Sequence, residues 1–346
     1  MKLKILSLCD GIAVGLLSFI ELDPLLDIEY HAVEIDSYAR KVADDNFPEI
    51  IRWENDVEWV TKGDIEKNGP FDWVIFGSPC QSFSVAGNGK GLDGKSGLLI
   101  NCLEILKWCQ EFNPKLKFLI ENVKMKKEFL DQFNALVGRK GFLINSALVS
   151  AQKRERYYWT PFELSLPEDR GIFLESVIEK DINSNLFFEP KNLDRITESK
   201  IITDPKTSPQ FVDRQKDFCL DANYWKGTTL RQYLEKSRRQ VVFAYSSSQR
   251  ETCIEHRSNL GGKSNTLTTG SGCSGGLKSS TLVGDIVKDK LLFRKLTVRE
   301  CARLQTIPDW FSFKSVSNSQ AYKAIGNGWN TETIKHILKI GLSNAL

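Results

Sequence analysis

Short apolar runs alternate with amphipathic stretches along the first half of the chain. Strands are expected over residues 4–8, 30–33, 50–53, 73–76, 118–120, 142–149 and 157–160. Helices are expected over residues 16–22, 98–112, 126–136, 297–305 and 331–340. Trp73-Val74-Ile75-Phe76 has no polar position, the mark of a strand packed on both faces. Alternating strands and helices predict an open, mostly parallel α/β sheet. The last two strands, joined by a polar turn, read as an antiparallel hairpin. Thr297 with Glu300 has the spacing of a helix capping box. After Pro161 the periodicity weakens and Ser, Asn and Lys increase. We therefore expect two domains, one of residues 1–163 plus 291–346 and a smaller, irregular one of residues 164–290.

The stretch Gly77-Ser78-Pro79-Cys80-Gln81-Ser82-Phe83-Ser84 organises the first domain. A thiol held by Pro79 at the carboxyl end of a central strand stands where open α/β sheets do their chemistry. The plain alternative is a small buried core residue. Residues 85–97 hold five glycines and predict a loop that closes over a ligand. Cys9-Asp10-Gly11-Ile12-Ala13-Val14-Gly15 is a small-residue turn between strand and helix, suited to bring backbone N–H groups to a ligand or to serve as a plain tight turn. Glu34 ends the second strand about 20 residues past that turn, a position suited to a ribose hydroxyl pair or to a solvated strand end. With Asp56 these pieces point to an adenosine-containing cofactor. Glu121 follows the fifth strand and would open on the same edge as Cys80. Arg154 and Arg156 are two apart, so in extended chain they project to one face and demand an acceptor.

Composition narrows the class. The chain has 346 residues and a net charge of +3, only mildly basic. No apolar run approaches the ~20 residues of a membrane span, and the N-terminus lacks a signal-peptide cleavage pattern. Eight cysteines without paired spacing fit a reducing cytoplasm. Cys102 and Cys109 share one helix face and are expected in the core. Residues 191–257 hold 13 Lys and Arg against nine Asp and Glu. With Tyr224, Trp225 and Tyr233 interleaved, that lobe suits a nucleic-acid face or a solvated surface. Cys253, His256 and Cys273 lack the paired spacing of a metal site, and no metal is expected. Residues 261–270 lack the spacing of a phosphate loop.

The motifs Asp10-Gly11-Ile12-Ala13-Val14-Gly15, Glu34, Asp56, Ser78-Pro79-Cys80-Gln81, Glu121-Asn122-Val123, Gln152-x-Arg154-x-Arg156, residues 294–305 and Gly326-Asn327-Gly328 occur in that order. Together they resemble the C5-cytosine DNA methyltransferases that use S-adenosylmethionine, over essentially the whole chain. The Asp-Gly-Ile-Ala turn, Arg156-Tyr157-Tyr158-Trp159, and Trp329 followed by Ile334-Lys335-His336-Ile337 are similar to the animal de novo branch. The accessory chromatin domains of that branch are absent, which points to a prokaryotic, phage or viral enzyme.

That resemblance implies a Rossmann-like methyltransferase sheet, mostly parallel with one antiparallel strand, and a smaller target-recognition domain. It implies Cys80 as the nucleophile at cytosine C6, Glu121 on N3 and the exocyclic amine, and Arg156, with Arg154 near it, on the O2 carbonyl and the flanking phosphate. Asp10, Gly11, Ile12, Gly15, Glu34, Ile35, Asp56, Val57, Leu98 and Asn327 would hold S-adenosylmethionine, with Asp10 or Ile12 flanking the space of the family's usual Phe. Gln81, Ser82, Ser84, Val85 and Gln152 would meet double-stranded DNA around a flipped-out cytosine. The expectation is a cytoplasmic monomer in a bacterial or virus-infected cell, without membrane contact. A cognate restriction endonuclease would share its DNA site without a stable complex. The rival readings are a transfer-RNA cytosine methyltransferase, because Glu121-Asn122-Val123-Lys124 resembles that branch, and a catalytically silent DNA-binding relative.

Overall fold

Trp73-Val74-Ile75-Phe76 does form the middle of a sheet. In this computed structural model residues 2–53, 56–77, 97–179, 182, 210–211, 215–226, 233, 240–245 and 291–343 are described. Strands β1 (Leu3–Leu8), β2 (Ile28–Val33), β3 (Ile51–Arg52), β4 (Trp73–Gly77), β5 (Lys117–Val123), β6 (Phe142–Asn145) and β7 (Glu155–Trp159) lie in the order β3-β2-β1-β4-β5-β7-β6. Neighbours from β3 to β5 pair in parallel, and β7 runs antiparallel to both β5 and β6. The order reverses between β1 and β4, which opens a crevice at their carboxyl ends.

The helices are α1 (Val14–Leu22), α2 (Ser37–Asn46), α3 (Lys62–Asn68), α4 (Gly97–Phe112), α5 (Lys127–Val137), α6 (Val298–Leu304), α7 (Asn318–Asn327) and α8 (Thr331–Ser343). Successive side chains of β4 point to opposite faces of the sheet. Trp73 meets Phe19 of α1 edge-on, with ring centroids 5.6 Å apart. On the same face a Cβ on Gly341 of α8 would lie 2.4 Å from the Trp73 ring, so α8 crosses there only as glycine. Val74 and Phe76 join Ile65 of α3 and Leu99, Cys102, Ile105 and Cys109 of α4 on the other face. The two α4 cysteines are core residues, as the helical spacing predicts.

Local signals set the helix ends. The Asp36 side chain caps α2 by accepting from the Tyr38 and Ala39 amides. Thr297 and Glu300 form the predicted reciprocal box at α6, a device contributing about 1 kcal/mol. Two segments differ from the sequence pattern. The strand expected over 142–149 stops at Asn145, whose Oδ1 accepts from the Ala147 and Arg154 amides and turns the chain into a short 3-10 turn. Residues 324–327, expected as a turn opening the last helix, are the final turn of α7.

The chain divides into two units. One comprises residues 1–177, 216–227 and 297–346, the other residues 178–215 and 228–296. The expected cuts at 163/164 and 290/291 fall elsewhere because residues 216–227 return to the first unit and β10 (Leu291–Lys295) belongs to the second. There β10 pairs antiparallel with β9 (Val241–Tyr245), which pairs antiparallel with β8 (Gln210–Phe211). Tyr224 is buried in the first unit, its ring 5.5 Å from that of Tyr322. Tyr233 is buried in the second. Neither is part of an exposed aromatic face. No helix among the described residues is long and apolar enough to cross a membrane.

Candidate active site

A cavity of about 450 Å³ opens at the carboxyl ends of β1, β2, β4 and β5. Asp10, Gly11, Ile12, Glu34 and Ile35 line it, together with Asp56, Val57, Leu98 and Asn327. Nine of the ten residues expected around a cofactor are thus brought to one space. Gly15 is the exception. It lies within α1, where a Cβ would stand 2.3 Å from Ile75 Cδ1 and 2.8 Å from the Tyr30 hydroxyl, so its role is close helix-to-sheet packing.

The turn before α1 is tightly wound. Cys9, Gly11 and Ala13 have φ of 55°, 61° and 59°. Two of these are not glycine, and a left-handed residue costs roughly 1–2 kcal/mol. Glu34 anchors the turn. Its Oε2 accepts from the Gly11 amide at 2.7 Å and its Oε1 from the Asp36 amide at 2.7 Å. Burial raises the Glu34 carboxyl above its ordinary value against those two bonds. Asp10 faces inward. Its Oδ1 accepts from the Tyr30 hydroxyl at 2.7 Å, and Arg52 Nη1 lies 3.2 Å from Oδ2. Asp10 therefore ties the turn to β2 and β3. Cys9 also lines the cavity, and its contact with Cys102, followed by burial, holds its thiol well above the ordinary range.

Glu121 does not follow β5 but lies within it, opposite Gly77 of β4 on one side and Tyr158 of β7 on the other. Arg156 Nε lies 3.0 Å from Glu121 Oε1. Trp329 Nε1 donates to Glu121 Oε2 at 3.1 Å. Burial weakens Arg156 as a base, but the facing Cys219 and Glu121 outweigh it and hold the guanidinium firmly charged.

Arg154 departs from expectation. It is buried, with Nη1 donating to the Leu220 carbonyl at 3.2 Å and Nη2 to the Gly328 carbonyl at 2.8 Å. A further contact reaches the Gly326 carbonyl at 3.4 Å. Its fork joins the start of β7, the 216–227 segment and the end of α7, and the side chain also lines the cavity. Gln152 is likewise fully buried, beside Asp217, and does not reach a surface. Cys80, Gln81, Ser82, Ser84 and Val85 lie outside the described residues.

Three groups at the site escaped the sequence reading. Trp329 was read as a feature of the family resemblance but not as a site residue. Lys323 Nζ lies 2.7 Å from Asp36 Oδ2 at the rim. Cys219 Sγ lies 3.3 Å from Arg154 Nη1 and 3.7 Å from Arg156 Nη2. Desolvation raises the Cys219 thiol, but the two guanidiniums outweigh it and bring it below the ordinary value. No sequence signal places Cys219 here, because residues 216–227 lie far from β7 along the chain.

A switch-point cavity with an acid at the end of β2, on a sheet carrying an antiparallel β7, defines a Rossmann-like methyltransferase. Residues 3–340 match the family described as C-5 cytosine-specific DNA methylase, and the chain belongs to that family. It is a DNA (cytosine-5-)-methyltransferase of an S-adenosylmethionine-dependent class. It is 28% identical over 315 residues to the type II methyltransferase M.HhaI of Haemophilus parahaemolyticus, covering 88% of this chain and 84% of that protein. It is 27% identical over 324 residues to the type II methyltransferase M.HpaII of Haemophilus parainfluenzae, covering 85% and 77%. The fold is similar to that of DNMT2 from Spodoptera frugiperda, with TM-score 0.63, 24% identity and coverage of 98% and 99%. It is also similar to the Entamoeba histolytica methyltransferase EhMeth, with TM-score 0.63, 13% identity and coverage of 100% and 99%.

Proposed function

We propose that the protein methylates C5 of a flipped-out cytosine within a short specific sequence of double-stranded DNA, through a covalent bond between Cys80 and C6. The observation that carries this reading is the Arg156–Glu121 pair at the cavity, set opposite Gly77, which immediately precedes Ser78-Pro79-Cys80-Gln81. A protonated carboxyl and a guanidinium side by side match the N3, amine and O2 edge of one cytosine. Arg154 lines the cavity beside them, but backbone carbonyls use its fork, so the contact to O2 is assigned to Arg156 with Arg154 behind it.

The cavity fits S-adenosylmethionine. Glu34 offers buried carboxylate oxygens to a ribose, Asp56 an acceptor to an adenine amine, and Ile35, Val57 and Leu98 apolar walls. The methyl donor supplies an electrophilic methyl group and leaves as S-adenosylhomocysteine.

The chain's own residues make the base reactive. Cytosine C5 is too weak a nucleophile unaided. The Cys80 thiolate adds to C6, breaks the aromaticity and turns C5 into an enamine-like carbon. Glu121, in its protonated form, donates to N3 and accepts from the amine, and gives up its proton as charge moves onto N3. Arg156 holds O2 and keeps Glu121 oriented. Loss of the C5 proton then expels Cys80 and restores the ring.

Flipping the base costs a few kcal/mol; residues 81–95, expected to close over it, lie outside the described residues. Residues 178–215 and 228–296 are assigned to reading the flanking bases, which accords with the basic excess of residues 191–257.

Trapping tests this mechanism. A duplex carrying 5-fluorocytosine in its target site, incubated with protein and S-adenosylmethionine, yields a stable protein–DNA adduct. Cys80→Ser yields none while retaining DNA binding. An adduct formed equally by Cys80→Ser would contradict the mechanism. Adduct formation on transfer RNA alone would favour the RNA reading.

A further inference from the structure

Both oxygens of Glu121 are engaged from outside its own strand. Arg156, on the neighbouring β7, holds Oε1 at 3.0 Å. Trp329, in the link between α7 and α8 and 208 residues away, holds Oε2 at 3.1 Å. The indole fits because Gly77 has no side chain, since a Cβ there would lie 2.8 Å from Trp329 Nε1 and 2.9 Å from Glu121 Oε2. The link carrying Trp329 is itself braced. Gln305 Nε2 donates to the Ile325 carbonyl at 3.0 Å, and Arg154 Nη2 to the Gly328 carbonyl at 2.8 Å.

We propose that Trp329 is a positioning residue for the base-holding carboxylate, its indole N–H fixing Glu121 in the rotamer that faces the flipped cytosine. The inference rests on the reading of Glu121 given above. A Glu side chain has three rotatable bonds, and one donor leaves the carboxylate free to pivot about it. Two donors, one on each oxygen, set the carboxyl plane and leave the carboxyl proton for N3 and a remaining lone pair for the amine. Arg156 alone cannot do this, because Arg156 is itself assigned to O2. The indole is a donor only, so it holds the carboxylate without competing as an acceptor for the cytosine amine.

Trp329→Phe removes the N–H and keeps an aromatic ring. Steady-state methyl transfer on a duplex substrate is measured for wild type, W329F, E121Q and the double variant, with single-turnover rates for the slow ones. The expected result is a fall in kcat of roughly 10- to 100-fold for W329F, the effect of a misoriented reacting group. The KM for S-adenosylmethionine and the Tm stay near wild type. In the E121Q background, W329F costs nothing further, because the indole acts only through Glu121.

Full activity of W329F beside an impaired E121Q would overturn the proposal. So would additive losses in the double variant, or a loss carried entirely by KM for S-adenosylmethionine, which would make the indole a cofactor wall. Full activity of E121Q would overturn the reading of Glu121 itself.

Discussion

Gly77 and Glu121 are register partners across β4 and β5, and Glu121 Oε2 occupies space that a Cβ on Gly77 would enter at 2.9 Å. The pairing puts the acid beside the last described residue before the Ser78-Pro79-Cys80 segment. Hydrogen bonding between parallel strands fixes this approach, and the missing side chain admits both the carboxylate and the Trp329 indole. A glycine here answers to crowding as well as to the turn that follows.

Gly77→Ala should therefore impair chemistry more than folding. The added methyl meets the ends of two side chains, which can shift at modest cost in stability, but the shift moves Glu121. We expect a loss of kcat of about 100-fold, the scale of a 1 Å misplacement, with urea unfolding changed by less than about 1.5 kcal/mol. An unfolded variant, or one with full activity, would contradict this account.

The two arginines should separate. Arg156→Lys keeps a charge but loses the planar fork, so activity falls while the unfolding midpoint stays near wild type. Arg154→Met takes a donor from the Leu220, Gly326 and Gly328 carbonyls, the last of which keeps Gln305 Nε2 at 3.4 Å, and should cost about 1–3 kcal/mol in denaturant unfolding. Equal stability losses for both variants would contradict the assignment of different roles.

Much of the site was readable before the structure. Glu34 and Asp56 follow β2 and β3 in sequence, and the strand ends of a parallel sheet meet at one edge. Arg154 and Arg156 were read on one face of the extended chain, Arg156 with Arg154 near it, because two-residue spacing is all that a sequence displays. The bridge between residues 152 and 217 and the carbonyls of Leu220 and Gly328 distinguish them, and those are tertiary contacts. The contact of Trp329 with Glu121 and the place of Cys219 were missed for the same reason. The packing of Gly15 was not legible, because a glycine that admits a ligand and one that admits Ile75 and Tyr30 look alike in a turn motif. The strand of 142–149 was overextended because Ser146-Ala147-Leu148 is apolar enough to continue it, and one Asn145 side chain stops it.

Cys219 should be the fast thiol among the described cysteines. It is solvent-exposed beside two guanidiniums, whereas burial pushes Cys109 up to about 12 and contact with Cys102 and burial raise Cys9. Iodoacetamide labelling with peptide mapping across pH should give Cys219 a midpoint below the ordinary thiol value of about 8.5. Labelling there at the rate of Cys109 would contradict the electrostatic picture.

His31 gives the fold an acid limit. Trp53 Nε1 donates to His31 Nδ1 at 2.8 Å, and His31 Nε2 lies 2.9 Å from Glu29 Oε1. Burial lowers the imidazole below its ordinary value, even against Glu29. The unfolded chain takes up that proton first, so the stability from neutral His31 is present above about pH 6.5 and is lost as the pH falls toward its folded value. Urea unfolding at about pH 7.5 and about pH 5.5 should show a smaller difference for His31→Gln than for wild type. An unchanged difference would remove His31 as its cause.

The most direct test of the central claim is bisulfite sequencing of plasmid DNA incubated with the protein and S-adenosylmethionine. The account predicts cytosines protected in one short sequence context, with protection abolished by Cys80→Ser. DNA left fully convertible, although the protein binds it tightly, would contradict the account.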